Sequence, residues 1–452
     1  MKCRPTRLAL CLLATLAVGV VAQAVPPAWG SSQAPQSGAA STQTPAPSPP
    51  SAQYTLTPEK RAQAIAYSRI QYFLYFLGVA VSAGIYLFLW RAGVARVFRD
   101  WAFHASPRLF LQCLVFVPVF LVVASLLGLP LEYYSGYVIE HRFNLSTQGL
   151  GSWLGDWGKG LGVNILMGTL LAWIFYAVVR RSARRWWFYF WLVSIPIVLA
   201  VLAAQPYVFD PLFFRFTPLE KTQPVLTDHI QTMLAHAGLQ IPRAHIFEME
   251  ASAKTKTLDA YVAGLGASKR VVVWDTTLKK MDVDATLLTV GHEAGHYVLD
   301  HIPKEFALDE LGFLFLFYLG FVCVNRLVAR FGASTGIEGV GDFASLPIAL
   351  LVLTVLVFLA SPFISGVSRY YEHQADQFGL EVAYGVVADP NAAEIRALQT
   401  LGEEDLADPA PSPFIKFWLY DHPPLEERIR FAATYRPWAE GKPLELVHSG
   451  SQ

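Results

Sequence analysis

The chain has 452 residues, of which 54% are hydrophobic and only 15% charged. That is far more apolar surface than one soluble core uses, so a membrane protein is the first reading. Lys+Arg and Asp+Glu each total 35, which leaves no net field for a polyanionic partner, and no nucleic acid is expected. Cys3 and Cys11 lie in an N-terminal segment that reads as a targeting sequence, and Cys113 and Cys323 in later apolar runs. Those spacings fit neither a disulfide framework nor a thiolate metal site.

Residues 1–24 read as a secretory signal peptide: Lys2, Arg4 and Arg7, an apolar run over 8–22, then small residues at Ala22 and Ala24. The alternative is an uncleaved first membrane helix, for which the run is short. Residues 25–57 are rich in Pro, Ser, Ala, Gln and Thr, with almost no large apolar side chains to offset the entropy of ordering. They are expected to form a disordered tether.

Six apolar stretches follow, at 70–90, 109–128, 161–179, 187–204, 311–328 and 346–364. Each is about 20 residues long, enough for a helix across ~30 Å of hydrocarbon. Trp90, Trp101, Trp186 and Trp187 flank them, as expected of rings that sit at headgroup level. The segment 58–204 thus carries four membrane helices and 311–365 the last two. Two short loops set the orientation. Arg91, Arg96, Arg99 and Arg108 lie between the first two spans, and Arg180, Arg181, Arg184 and Arg185 between the third and fourth. Retained in the cytoplasm, they put 205–310 and the tail 366–452 on the other side. The expectation is an integral multi-pass protein of a bacterial-type inner membrane, in contact with membrane lipid, with these two polar segments, and any catalytic region they hold, extracytoplasmic. A membrane of endoplasmic reticulum type is the alternative.

Chemistry is to be sought in those two polar segments. Apolar spacing predicts a helix over 222–237, while Val271, Val272, Val273 and Trp274 read as a buried strand and 287–299 as a second helix. The fold class is therefore mainly α, with a small β component in the first polar segment.

Residues 290–298 read ValGlyHisGluAlaGlyHisTyrVal, an HExxH pattern at His292, Glu293 and His296. On a helix, positions i and i+4 stand one turn apart on the same face, so both imidazoles can address one ion with Glu293 at its edge. Two neutral imidazole nitrogens suit Zn2+, and a Glu beside activated water can take its proton. Two surface histidines are the bland alternative. Leu287, Leu288, Val290, Val298 and Leu299 argue against it, because unpaired polar rings on so apolar a helix would be costly. A hydrolytic zinc site needs a third protein ligand. In 368–379, Glu372 and Asp376 are again i and i+4. Glu372 can be that ligand while Asp376 accepts the free ring N–H of a ligating histidine. Arg369 either pairs with Glu372 or Asp376 on a solvated face or acts directly. His373 points off that face and reads as structural.

These residues resemble the type I CAAX prenyl protease family, the membrane-integral zinc endopeptidases that include the a-factor-converting enzymes. The likeness spans roughly 130–430. It includes Ile139, Glu140 and Phe143; Pro211, Leu212 and Phe213; AspAlaTyrValAlaGly at 259–264; and Asp275 with Thr276. It continues through HisGluAlaGlyHis at 292–296 with His301 beyond, SerArgTyrTyrGlu and AlaAsp within 368–376, and HisProProLeuGluGluArgIle at 422–429. The resemblance implies a polytopic helical barrel around a water-filled chamber with side portals, and a zincin-like catalytic subdomain carrying a small β-sheet. It implies one Zn2+ on His292, His296 and Glu372 with Glu293 as base. It also implies that Asp259, Ala260, Tyr261 and Gly264 bind substrate backbone along an edge strand. A loop histidine beside Pro423 reads on its own as structural, whereas the resemblance makes His422 a donor to the oxyanion, with Arg428 a weaker candidate.

Two departures matter. The family usually has Asn where this chain has Asp259, and an ionised carboxylate only accepts, so binding geometry or substrate preference is expected to differ. The signal peptide and tether replace the retained helix with which members generally begin, and the arginine loops put the site out of reach of a prenylated cytosolic protein. The function expected is a zinc metalloendopeptidase of the envelope, acting on peptides or membrane-associated proteins. A catalytically idle metal-binding scaffold or quality-control protein is the alternative, though a scaffold has no need of Glu293. A transporter would carry ionisable residues within its spans, which are nearly free of them.

Overall fold

The computed structural model describes residues 53–264 and 266–447; the predicted signal peptide and most of the tether lie outside them. Composition extends the tether to residue 57, yet from Tyr54 the chain is packed. Tyr54 is 6% exposed, its N–H donates to Glu426 Oε2 at 2.8 Å and Thr55 N–H to Gln399 Oε1 at 3.2 Å. One buried aromatic ring is enough to end the tether early.

Thr57 caps α1 (Pro58–Arg91) by accepting from Lys60 N–H, with proline at the first helical position. Next come α2 (Val94–Ala105), α3 (Leu109–Tyr133), α4 (Leu150–Arg181) and α5 (Trp186–Ala204). Helices α3 and α5 run on through one wider π turn each, Tyr134–Ile139 and Gln205–Phe209. Pro206 lies inside the second of these turns and withholds its backbone donor there, and the wider turn accommodates that without breaking the helix. The membrane-length units become Leu109–Arg142 and Trp186–Phe213. All six predicted spans are helices, each longer than its apolar stretch because polar flanks continue the helix where hydropathy no longer reports it. Only 17–44% of each apolar window is buried. Phe73, Leu166, Phe315 and Phe363 are among many large apolar side chains turned outward, which defines a lipid-facing surface.

The first long polar segment folds into a four-stranded sheet, β1 (Phe216–Pro218), β2 (Ile246–Met249), β3 (Ala260–Ala263) and β4 (Arg270–Trp274), in the order β1-β2-β4-β3. Helix α6 (Pro224–His236) falls between β1 and β2, matching the spacing over 222–237. Strand β4 is central, parallel to β2 and antiparallel to β3. That placement explains the unbroken valine run, since both faces are covered. Arg270 ties the sheet to the last span of this half: Nη2 meets Asp210 Oδ2 at 2.5 Å and Nη1 donates to Pro206 O at 2.9 Å.

The HExxH pattern lies on α7 (Val283–Val298), followed by α8 (His301–Thr335) and α9 (Leu346–Ala383), which form a long antiparallel pair. Between α8 and α9, Arg99 Nη1 donates to Gly336 O at 2.9 Å and pairs with Asp342 at 2.7 Å, while Arg180 Nε donates to Gly341 O at 3.2 Å. Both arginine loops therefore gather at the end of the bundle remote from His301 and Glu372, ~50 Å away along a helix of this length. The chain closes with α10 (Pro390–Glu404), α11 (Pro413–Leu419) and α12 (Leu425–Thr434).

Gly402 tests the packing of the N-terminal strap. A Cβ there would stand 2.5 Å from the Tyr54 ring and 2.4 Å from Leu425 Cδ1. Gly→Ala inside a helix ordinarily gains about 1 kcal/mol, whereas overpacking costs about 1–3 kcal/mol. Gly402→Ala is expected to lower the melting temperature in detergent; a rise would mean that Tyr54 does not occupy this site.

Candidate metal centre

Helix α7 starts where Asp282 accepts from Ala285 N–H at 2.7 Å, a carboxylate N-cap that also favours the helix dipole. It crosses α9 at very short range. A Cβ on Gly379 would lie 3.1 Å from His292 N and 3.3 Å from His292 Cα, and one on Gly295 would lie 3.0 Å from the Phe378 ring. With Gly291 also facing Val382, backbone meets backbone at Gly379 and His292, while Phe378 and Val382 pack into the space that Gly295 and Gly291 leave on α7. Glu372, two turns before Gly379 on α9, is thereby carried up to the imidazoles of α7.

His292, His296 and Glu372, all buried, present ligand atoms within 4.8 Å of one another. The two Nε2 atoms are 3.3 Å apart, and His292 Nε2 is 3.1 Å from Glu372 Oε2. Each ring is held from behind. His292 Nδ1 lies 2.8 Å from Asp376 Oδ1, and Arg428 grips the same carboxylate with Nε at 2.9 Å and Nη2 at 2.6 Å. His296 Nδ1 is 2.9 Å from His301 Nδ1, whose Nε2 reaches Gln374 Oε1 at 3.2 Å. If the Nδ1 atoms of His292 and His296 carry the protons in these bonds, both Nε2 lone pairs face one point beside Glu372. Glu293 Oε1 stands 4.0 Å from His292 Nε2. Two imidazole nitrogens and one carboxylate oxygen, with no further protein side chain required, are a donor set that suits a catalytic divalent metal. A carboxylate as deeply buried as Glu372 (0% exposed) also calls for a positive partner.

The remaining candidates distribute unevenly. Ala260 and Val262 turn into the core beneath α7, while Tyr261 packs on the opposite sheet face with Phe214, Phe216 and Phe247. Asp259 is buried, and its backbone N–H and C=O both bond Thr277 Oγ1, at 2.7 and 2.8 Å. Gly264 has φ 93, accepts from Tyr297 OH at 2.9 Å and has Ser268 O where a Cβ would go. This end of β3 is thus tied to α7, and β3 forms an edge of the sheet. His422 comes from the loop before α12, with Nδ1 2.9 Å from Asp421 and Nε2 3.1 Å from Glu372 Oε2.

Arg369 is not at the cluster. Its guanidinium donates to the carbonyls of Lys416 and Tyr420, and the ion pair with Asp376 belongs to Arg428. Position i+3 on one helix was a weaker guide than a residue delivered from another element. His373 meets the Phe431 ring edge-on at 4.4 Å between centroids, off the site as expected. Sequence reasoning gave no role to His301, which starts the next helix after Asp300 turns through φ 54. A histidine five residues beyond His296 is off its face on a continuous helix, and only this turn brings it back.

Residues 220–436 match Peptidase family M48, and residues 40–215 match the CAAX prenyl protease N-terminal region, described as five membrane helices. An uncharacterized metalloprotease of Bacillus subtilis (strain 168), YhfN, is 35% identical over 83% of this chain and 86% of its own length. A CAAX prenyl protease 1 homolog of Oryza sativa subsp. japonica is 29% identical over 71% of this chain and 72% of its own, and CAAX prenyl protease 1 of Saccharomyces cerevisiae 25% over 70% and 71%. The crystal structure of S. mikatae Ste24p shares the fold, with a TM-score of 0.68 at 23% identity over 82% of this chain and 88% of that one. Fold and matches together define a membrane-integral metallopeptidase. The chain belongs to Peptidase family M48.

Burial works against a charged His292 ring, but hydrogen bonds to Asp376 and Glu372 outweigh it and push the imidazole up to about 10. In the metal-free fold this proton stabilises fully below the ordinary value of 6.5, and the contribution is lost as pH rises through about 10. A metal must displace the proton, so affinity is expected to rise roughly tenfold per pH unit over about pH 7–9. Competition titrations against a chromophoric chelator will show this slope, and a flat profile would remove His292 from the ligand set.

Proposed function

We propose that the chain is a zinc endopeptidase in which His292, His296 and Glu372 hold the ion and Glu293 is the base. The observation that carries this reading is the meeting of two imidazoles from one helical turn with a buried carboxylate from another helix, all within 4.8 Å. Zinc bound there would supply Lewis acidity to the scissile carbonyl and acidify water. Glu293 takes the proton of the attacking water and delivers it to the leaving amine. Asp376, backed by Arg428, and His301 keep the two rings aimed. His422, 39% exposed, offers Nε2–H to the oxyanion once substrate draws it from Glu372. Strand β3 aligns an extended peptide along the sheet edge.

The substrate is a peptide or a membrane-associated protein on the extracytoplasmic face of a bacterial-type inner membrane. Support comes from the arginine loops clustered at the far end of the bundle from Glu372. Several relatives are named CAAX prenyl proteases; on this topology a prenylated cytosolic protein is not the natural substrate here.

Glu293→Gln should retain one zinc per chain and lose roughly 10²–10⁴-fold in cleavage of a quenched fluorescent peptide. Equal cleavage by both proteins would sink the assignment of the base. A cysteine at exposed Lys442 should react in intact cells with a membrane-impermeant maleimide; protection until the cells are lysed would reverse the proposed sidedness.

A further inference from the structure

The segment 405–424, between α10 and α12, carries His422 to the cluster. It contains five prolines and one short helix, so little internal hydrogen bonding fixes its course. Its anchors come from elsewhere. Leu406 has φ 42, a left-handed backbone that a leucine adopts only under constraint. Its side chain is 1% exposed, clustered with Ala64, Tyr67 and Leu74 of α1 and with Ile139 and Leu145. Further along, the Tyr72 hydroxyl on α1 lies 3.0 Å from Asp408 Oδ2 and 2.9 Å from the Tyr420 hydroxyl. A phenol has one proton to give. Tyr72 donates it to the carboxylate, so Tyr420 donates to Tyr72, and one oxygen joins both ends of the loop.

Tyr420 stands two residues before His422, and Arg369 holds its carbonyl from α9. The His422 ring, 39% exposed, is held at its two nitrogens by Asp421 and Glu372. Where it can meet them is set by the backbone at 420–423.

We propose that Tyr72, on the first membrane helix, is a positioning residue for the reaction: by latching Asp408 to Tyr420 it sets His422 over the metal cluster. This rests on the role given above to His422. Tyr72 touches no ligand and no substrate, and it reaches the site only through the loop. The first span thereby takes part in catalysis at long sequence distance, which also gives Arg369 its place: it closes the same loop from the other side.

Tyr72→Phe in the full-length protein keeps the ring and removes the shared oxygen. Misplacement of a catalytic group by about 1 Å can cost 10²-fold, and the loop keeps its other anchors, so a loss of roughly tenfold in kcat is expected. KM and zinc content should stay unchanged. The loss should vanish in a His422→Gln background, because the latch acts through that ring. Hydrogen exchange should quicken within 405–424 and nowhere else. Unchanged kcat, full additivity with His422→Gln, or zinc loss in step with activity would each overturn the proposal. Should the wild type hold zinc yet cleave no peptide, the endopeptidase reading fails; exchange in 405–424 then still decides whether the latch exists, and unchanged exchange in Tyr72→Phe rejects it.

Discussion

The site depends on how closely two backbones can approach. Helices α7 and α9 touch through Gly291, Gly295 and Gly379, where even one methyl group would lie 3.0–3.1 Å from its neighbours. Helices that pack through larger side chains stand 8–10 Å apart. At such a separation Glu372 could not reach two imidazoles whose Nε2 atoms are 3.3 Å apart. Removing side chains from the crossing costs apolar contact locally, and Phe378, Val382 and Leu288 around it restore that burial.

Electrostatics then constrains what can stand behind the cluster. Asp376 and Glu372 are both buried, and two carboxylates this close would repel if left alone. His292 sits between them and Arg428 closes the outer side, so negative and positive groups alternate from Glu372 to the guanidinium. Glu394 lies behind this row, and burial first, then the Asp376 charge, raise its carboxyl to about 7. Near neutral pH that carboxyl is only partly ionised, so the row faces less than another full charge.

What could be read from the sequence followed the range of the physics. Hydropathy and the 3.6-residue period are local, so the six spans, the helix bearing His292 and His296, the central valine strand and the shared face of Glu372 and Asp376 were legible. Features set by distant elements were not. Arg369 and Arg428 are equally basic in sequence, but only the fold decides that Arg428 meets Asp376 while Arg369 holds carbonyls at 416 and 420. His301 depended on one left-handed residue, and Tyr54 on hydrogen-bond partners 353 and 372 positions away. The glycines of α7 and α9 looked unremarkable because the space they save belongs to another helix.

Helix α9 begins inside the bundle and reaches the site without interruption. Pro362 cannot donate to Phe358 O, and Ser361 Oγ fills that acceptor at 2.8 Å, so the proline leaves a joint rather than a break. Glu372 lies about 15 Å beyond it at ~1.5 Å per residue. A bend of one degree at the joint therefore swings the carboxylate by about 0.3 Å, comparable to the ~0.2 Å tolerance of a metal–ligand distance. A bilayer whose thickness mismatches the buried half of this lever would tilt it, and Pro362 is the point at which that tilt would pass toward Glu372.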